Sequence, residues 1–366
     1  MALVLSVATA DAGVVQTHTE RLTGDLAVRT GGLAVGDRVV KADEVLWALL
    51  GRAGRTLPQP NVVRRTNGEV WQCEILSLAA GKLTFRSPLL GLKHVDRRGI
   101  AALEFQPKLP RGEALEAGTL YRKEGEPLPG SLLWISPTQV AVDSPLGAMA
   151  MDRRTVTRLI VTRGAAARAG HGVCEVALAD GSVLRGVARF EEGAVALRHD
   201  VLGELALPAR AVRSVLRHCP KVAWLTELPY RAEVRRLLAG AGRIKTVDRR
   251  MADRPNGRSA GPHCIRSLRI EPTTKVTYRL PGEPAGRRVL RTALWAAPGA
   301  KGEARLRISA GGNVRLERAV PPSQTAAVPV TVELGEATEL TVEVTFGRRV
   351  ALPCGVVLGD PHVVGR

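Results

Sequence analysis

The sequence predicts an all-β protein in two parts, a row of small barrel-like repeats followed by a β-sandwich. Three observations lead to this prediction. Glycines recur every 55 or 56 residues with similar flanking sequences, apolar and polar residues alternate with period two over many segments, and turn-forming dipeptides separate those segments. At 366 residues the chain is longer than one ordinary domain, and its 45% apolar content suffices for well-formed cores.

The repeat is defined by Gly91, Gly147 and Gly203, which are 56 residues apart. A β-branched residue stands nine positions after each glycine, and Leu or Val stands twelve positions after it. Gly36 marks a fainter, shortened first copy, 55 residues before Gly91. We therefore predict a degenerate first repeat and three further repeats, at residues 13–54, 61–105, 118–161 and 172–217.

The fourth copy shows the predicted fold of one repeat most clearly. Cys174–Leu178 alternates as a half-buried strand does, and the dipeptide at 180–181, Asp-Gly, is a tight hairpin signal. Val183–Phe190 is the return strand, in which Gly186 indicates a strong bend or bulge. Three more strands are predicted at Ala194–Arg198, Glu204–Leu207 and Val212–Leu216. Five short strands with a bent second strand are typical of an SH3-like or Sm-like barrel.

The order of glycine and apolar residues in the repeats resembles that of Sm-like proteins, whose rings bind RNA. No Arg-Gly dipeptide stands between the fourth and fifth strands, where that family usually contacts RNA. We therefore expect the repeats to be structural spacers or interaction modules. Residues 106–117 and 162–171, rich in Pro, Gly or Ala, are predicted linkers.

The charge of the chain permits two interpretations. A net charge of +18 and a pI of about 10.7 favour an anionic partner such as nucleic acid, acidic polysaccharide or anionic lipid. However, only 9 of the 53 basic residues are lysine, and no run of five or six basic residues occurs. A GC-rich genome produces the same excess of arginine over lysine without any selection for binding. Aromatic residues make up only 3%, which argues against broad stacking platforms.

The first twelve residues, Met1–Ala12, are apolar and then small, with two Ala-x-Ala cleavage patterns. They fit a truncated signal peptide, and hence an exported protein, although an apolar first strand is the alternative. No segment approaches 18 consecutive apolar residues, so we expect no transmembrane helix.

Motifs for catalysis or metal binding are missing from the sequence. There is no Gly-x-Ser-x-Gly, His-Glu-x-x-His or P-loop, and the seven histidines stand singly, mostly in turn-like contexts typical of solvated residues. The five cysteines have neither CxxC nor Cys/His metal spacing. Cys264 and Cys354 lie near opposite ends of the last domain and are either a disulfide or two buried thiols. We therefore expect a non-enzymatic protein without metal or cofactor.

The C-terminal part begins with an apolar lead-in at Val222–Leu228 and a predicted short helix at Arg231–Leu238. Turn composition follows at 248–262. Seven strand-like segments then predict a jelly-roll β-sandwich: Lys275–Leu280, Val289–Trp295, Ala304–Ser309, Val314–Arg318, Val328–Leu334, Glu339–Phe346 and Gly355–Leu358.

Residues 221–366 resemble the NPCBM family, a novel putative carbohydrate-binding module with a galactose-binding-like jelly roll known from planctomycete proteins. Trp224–Leu228 is similar to its opening phrase, Arg266–Leu280 lies without gaps on its central signature, and Leu358–Val364 is similar to its closing strand. Ser267 replaces the glycine of the family signature, so this sequence departs from the family pattern at that position.

Several other family positions are replaced, its histidine by Glu271 and its closing tryptophan by Leu358. Tyr278 and Asp360 are retained. A sugar site needs planar rings and polar groups. The resemblance implies a weak carbohydrate site, although Tyr278 also fits a core strand position and Trp295 is the better stacking candidate. Its members are Trp295, Tyr278, Arg266, Glu271 and Asp360.

The sequence thus favours a non-catalytic, exported carbohydrate-binding or cell-envelope protein. Its expected partners are a polysaccharide or acidic glycan, or another envelope protein. One alternative is an interaction or structural scaffold with a ligand-free sandwich. A second alternative is nucleic-acid binding by the basic repeats.

Overall fold

A computed structural model describes residues 13–50, 59–106, 116–162, 170, 172–234, 244–248, 264, 266–281, 287–348 and 353–365. The predicted signal peptide lies outside these residues, as do most of both predicted linkers. The protein is all-β, and the chain forms two compact units, Met1–His218 and Cys219–Arg366. No helix in the described ranges is long and apolar enough to cross a membrane.

Twenty-two strands are described in the first unit. They are β1 (Gly13–Thr17), β2 (Arg21–Gly24), β3 (Leu26–Arg29), β4 (Gly32–Val35), β5 (Arg38–Lys41), β6 (Val45–Leu49), β7 (Asn61–Arg65), β8 (Val70–Ala79), β9 (Lys82–Ser87), β10 (Gly91–Asp96), β11 (Ile100–Glu104), β12 (Thr119–Arg122), β13 (Leu128–Pro129), β14 (Ser131–Ile135), β15 (Gln139–Ser144), β16 (Gly147–Asp152), β17 (Val156–Ile160), β18 (Cys174–Leu178), β19 (Val183–Glu191), β20 (Ala194–His199), β21 (Gly203–Pro208) and β22 (Val212–Arg217). Short 3-10 turns at Arg153–Thr155 and Ala209–Ala211 precede β17 and β22.

Strands β18–β22 have the arrangement that the sequence predicts for segment 172–217. β18 to β21 form an antiparallel meander, and β22 returns to pair with β18. At Gly186, strand β19 changes its partner from β18 to β20. A Cβ at residue 186 would collide with the carbonyl oxygen of Arg198, so glycine is required where the two strands approach.

The segments pair edge to edge through corresponding residues. Leu103 of β11 lies opposite Leu159 of β17, and Ala48 of β6 lies opposite Val215 of β22. Each of these residues stands twelve positions after its repeat glycine. Because equivalent residues face each other on antiparallel strands, each pair of segments is related by an approximate two-fold axis.

A third junction joins segments 61–105 and 172–217 in the same way. Val70 and Val183, each two residues after a hairpin glycine, pair directly. The backbone N–H of Gln72 donates to Ser182 Oγ at 2.9 Å. Reciprocally, the N–H of Arg185 donates to Glu69 Oε1 at 2.6 Å. Through these pairings the segments follow one another in the order 118–161, 61–105, 172–217 and 13–54.

The core of the first unit lies between the strands of these segments. It includes the rings of Trp71 and Phe85, whose centroids are 5.4 Å apart, and an extensive set of buried Val, Leu and Ile side chains. Burying apolar surface at about 25 cal/mol per Å² is the main stabilising contribution to such cores.

Eleven strands are described in the second unit. They are β23 (Val222–Trp224), β24 (Tyr230–Val234), β25 (Ile244–Asp248), β26 (Arg266–Ile270), β27 (Thr274–Arg279), β28 (Arg288–Ala296), β29 (Ala304–Ala310), β30 (Asn313–Val320), β31 (Val328–Gly335), β32 (Glu339–Phe346) and β33 (Val356–Gly365).

These strands form a β-sandwich of two antiparallel sheets. One has the order β25-β26-β33-β28-β31, with β23 also on β33, and the other β24-β27-β32-β29-β30. Alternate residues of both sheets bury the core between them, as in β32, where Leu340, Val342 and Val344 are fully buried. The helix expected at Arg231–Leu238 is wrong over its first four residues. They belong to the edge strand β24, which gains a complete ladder of hydrogen bonds by pairing with β27, and residues 235–238 lie outside the described ranges.

Candidate functional site

The three segments that resemble the carbohydrate-binding family are neighbours in the second unit. Leu268 on β26 lies opposite Leu358 on β33, and Trp224 on β23 lies opposite His362 on β33. Strand β33 therefore joins the opening, central and closing segments in one sheet.

A buried polar cluster lies where these segments meet. Arg266 is only 4% exposed; its backbone N–H donates to Asp360 Oδ1 at 2.9 Å, and its guanidinium is paired with Glu227. The Arg266 Cζ atom also lies 5.4 Å from the centroid of the Trp224 ring. His362 Nδ1 donates to the carbonyl oxygen of Asp360 at 2.7 Å. The cluster thus satisfies charges that would otherwise be costly to bury.

This cluster supports an irregular stretch of β33. Asp360 has a φ of +47°, which is uncommon for a residue with a side chain, and the register between β28 and β33 shifts at the same level. Thr292 Oγ1 donates to the carbonyl oxygen of Gly359 at 3.0 Å within the shift. In the structure, Arg266 and Asp360 hold the backbone of this irregularity and are not exposed to a ligand.

The aromatic candidates are also buried. Tyr278 is completely buried in the sandwich core, the position that its strand pattern allowed, and burial raises the pKa of its hydroxyl well above the ordinary value. Trp295 is 5% exposed and packs over Gly359, where an added Cβ would come within 2.6 Å of the ring. Glu271 is mostly buried, with an oxygen 3.9 Å from the guanidinium of Arg269. The structure thus brings Arg266 and Asp360 together, places Trp295 over Gly359, and places Tyr278 between the sheets.

No disulfide links Cys264 to Cys354 in the described chain. Both are buried thiols, and they belong to different apolar clusters, Cys264 with Trp295 and Cys354 with the sandwich core. Of the two alternatives, the structure shows buried thiols.

Tyr230 is an exposed aromatic residue that the sequence interpretation missed. It lies on edge strand β24 opposite Tyr278, the two ring centroids are 5.9 Å apart, and the Tyr230 side chain is 50% exposed. Among the residues described in the second unit, it alone combines an aromatic ring with such exposure. Tyr230 stands immediately before the predicted helix at Arg231–Leu238, and the short alternation of Tyr230, Ala232 and Val234 was the sequence signal for a strand here.

A second polar cluster lies in the first unit, at the junction of segments 61–105 and 172–217. The buried carboxylate of Glu69 lies 2.8 Å from both His199 Nε2 and Arg65 Nη1. Arg65 Nη1 is also 3.2 Å from Asp200 Oδ1. Sequence reasoning expected solvated histidines, but His199 is buried because strand pairing brings it against Glu69, 130 positions away.

The cluster has the charge distribution of an ion-pair network. Burial alone would raise the pKa of the Glu69 carboxyl, but interactions with His199 and Arg65 and the N–H of Arg185 hold it below its ordinary value. Glu69, His199 and Asp200 present ligand atoms within 4.8 Å of one another, as a metal site would. However, the Arg65 guanidinium occupies the space between the two carboxylates and would repel a cation.

Comparison with known proteins gives structural neighbours only. No protein-family model matches the chain, and no curated protein matches it either. The structural neighbours are carbohydrate-binding modules. They include a CBM51 from Clostridium perfringens GH95 in complex with methyl-galactose (14% identity, TM-score 0.31, covering 39% of this chain and 99% of that one). Tandem CBM51 modules of a family 98 glycoside hydrolase from Streptococcus pneumoniae (10% identity, TM-score 0.32) cover 54% of this chain and 72% of theirs. TmCBM61 in complex with β-1,4-galactotriose (16% identity, TM-score 0.24) covers 38% and 89%.

Proposed function

We propose that the protein is a non-catalytic carbohydrate-binding protein whose second unit, an NPCBM-like sandwich, contacts the glycan. The observation that carries the proposal is the meeting of the three family-like segments on β23, β26 and β33. They are separated by 37 and 77 residues of sequence but occupy neighbouring strands. The three segments that resemble the family therefore form one continuous part of a single sheet.

In this proposal the glycan stacks on Tyr230, while the residues first expected at the site form its framework. A sugar ring requires an accessible planar side chain, and Tyr230 provides one. The Tyr278 ring lies beside it on the paired strand, with the ring centroids 5.9 Å apart, which limits the motion of the exposed ring. The buried Arg266, Asp360 and Trp295 act by fixing the sheet.

The test is the binding of the full-length protein to a broad glycan panel and to cell-envelope polysaccharides. We expect Tyr230→Ala to weaken binding about fivefold to tenfold, because an aromatic platform contributes about 1 to 1.5 kcal/mol to such a contact. Val314→Ala is the matched control, since Val314 is 53% exposed on strand β30 at the other edge of the same sheet. Unchanged binding by Tyr230→Ala would contradict the assignment of the platform.

A ligand-free scaffold is the competing function, and the burial of Trp295 and Asp360 favours it. This function predicts that no glycan of the panel binds and that a specific protein co-purifies with the chain. Glycan binding that Tyr230→Ala abolishes would exclude it.

Export is a separate part of the proposal. It is supported by the apolar residues that precede the Ala-x-Ala patterns in Met1–Ala12. Cell fractionation, together with N-terminal sequencing of the mature protein, tests it. An exported protein would be found outside the cytoplasm with a new N-terminus near residue 11 or 13, and a cytoplasmic protein would refute this part.

A further inference from the structure

A cavity of about 480 Å³ opens in the first unit, where segments 61–105 and 118–161 meet. Three cationic residues line it, Lys123, Arg153 and Arg154, against one carboxylate, Asp152. Asp152 Oδ1 already accepts a hydrogen bond of 2.8 Å from the backbone N–H of Arg154, because it caps the 3-10 turn. The cavity therefore presents an excess of positive charge.

The guanidinium of Arg153 is held in a fixed position. It donates from Nη2 to Asn61 Oδ1 at 2.9 Å and from Nη1 to the carbonyl oxygen of Ser136 at 3.4 Å. Its Cζ lies 5.1 Å from the centroid of the Phe105 ring. Since Asn61 Oδ1 also accepts from the backbone N–H of Ile75, the amide is a rigid support. A charged group held in this way requires little ordering when a ligand binds.

The electrostatics of the cavity favour an anion. Burial lowers the pKa of Arg153, and Glu74, outside the lining, only partly offsets this effect. Within the part of the chain that the structure describes, neither Lys123 nor Arg154 forms an ion pair with its side chain. The exposed cations Lys123 and Arg154 thus lie beside Arg153, which is partly buried.

We propose that this cavity binds a small ligand of about monosaccharide size that carries an oxyanion, namely a phosphate, sulfate or carboxylate group. Guanidinium groups match the geometry of such oxyanions through paired N–H donors. The volume falls within the usual range of about 300–1,000 Å³ for small-molecule sites, and it is much larger than a bare oxyanion requires. The site is independent of the glycan platform proposed at Tyr230.

The experiment is a calorimetric titration of the full-length protein with glucose 6-phosphate, glucose 6-sulfate and glucuronate, with glucose as the neutral probe. We expect at least one charged probe to bind saturably with one site, and its affinity to fall as salt is raised. Glucose should bind at least tenfold more weakly at this site, because it lacks the charged group. Failure of all three charged probes to saturate would overturn the proposal.

Arg154→Ala and Lys123→Ala should each weaken that binding by about tenfold or more, since hydrogen bonds to charged groups contribute at this level. Arg98→Ala is the matched control. Arg98 occupies the corresponding position in the previous segment, where its N–H donates to Asp96 Oδ1 at 2.8 Å and its side chain is 93% exposed. Equal weakening by Arg98→Ala would show mere attraction to a +18 protein and would refute the site. Tyr230→Ala should leave this binding unchanged, so the two proposals fail separately.

Discussion

At the scale of single residues, burial determines what each candidate does. Arg266, Tyr278 and Asp360 were selected as sugar-binding candidates, yet each is almost fully enclosed. Tyr278 and Asp360 match positions of the family signature, but a signature does not distinguish a residue that supports the fold from a residue that contacts a ligand. For Tyr278, alternation along β27 allowed the correct interpretation, because every second residue of that strand faces the core.

Thiol reactivity tests this assignment of burial. Burial raises the pKa of Cys73 to about 12, and also raises the pKa values of Cys174 and Cys354. Since the thiolate is the reactive form, these thiols should react very slowly with a disulfide reagent in the native protein. Cys219 is only partly buried and should react first. We expect one fast thiol in the native state and five in denaturant.

Fewer than five thiols in denaturant, under conditions that exclude air oxidation, would contradict this account. Such a result would favour the disulfide between Cys264 and Cys354. Peptide mapping of the unreduced protein would identify the linked pair.

At the scale of elements, strand boundaries follow the sequence closely wherever alternation is regular. The five strands predicted for segment 172–217 begin and end within one residue of β18–β22. The failure at β24 has a physical reason. All five of its residues are exposed at a sheet edge, so the short alternation of Tyr230, Ala232 and Val234 is not reinforced by burial and does not by itself distinguish a strand from a helix. Pairing with β27 decides the structure, and this pairing is not visible locally.

The sequence did not predict which residues of different segments would meet, because these contacts also depend on strand pairing. Glu69 and His199 meet only because Val70 pairs with Val183 across the approximate two-fold axis. Each residue stands alone in the sequence, in a context typical of solvated turns. The equal spacing of the repeat glycines predicted similar segments, but it contained no information about which edges pair.

Glu69→Gln should lower the free energy of unfolding by about 3 kcal/mol at pH 7, because it removes one partner from a buried ion-pair network. The folded pKa of Glu69 lies below its ordinary value of 4.5. The stabilisation is therefore complete above that value and is lost as the pH falls through the lower folded pKa. The difference between wild type and variant should shrink accordingly in urea unfolding measured from pH 7 to pH 3.

The control for this prediction is Glu192→Gln, which removes an exposed ion pair with Arg29. Exposed pairs contribute at most about 1 kcal/mol, so this variant should unfold almost as wild type does. A loss for Glu69→Gln that is equally small, or that does not change with pH, would show that the junction does not depend on the ion pair.

At the scale of the whole molecule, we propose one binding site in each of the two all-β units. The first unit joins its segments through three strand junctions and contains a cationic cavity. The second unit is a sandwich with an exposed tyrosine on one edge strand. Recurring glycines, period-two alternation and turn dipeptides predicted the all-β class. The positions of both proposed sites, in contrast, depend on which side chains the fold leaves exposed.

We propose that the sandwich binds a glycan through β24 and its neighbour β27. Hydrogen–deuterium exchange of the full-length protein, with and without a glycan selected from the panel, locates the binding surface on the strands. We expect slower exchange upon binding at Tyr230–Val234 and Thr274–Arg279, with little change in the first unit. Protection confined to the first unit, or protection of the sandwich that spares both of these strands, would contradict it.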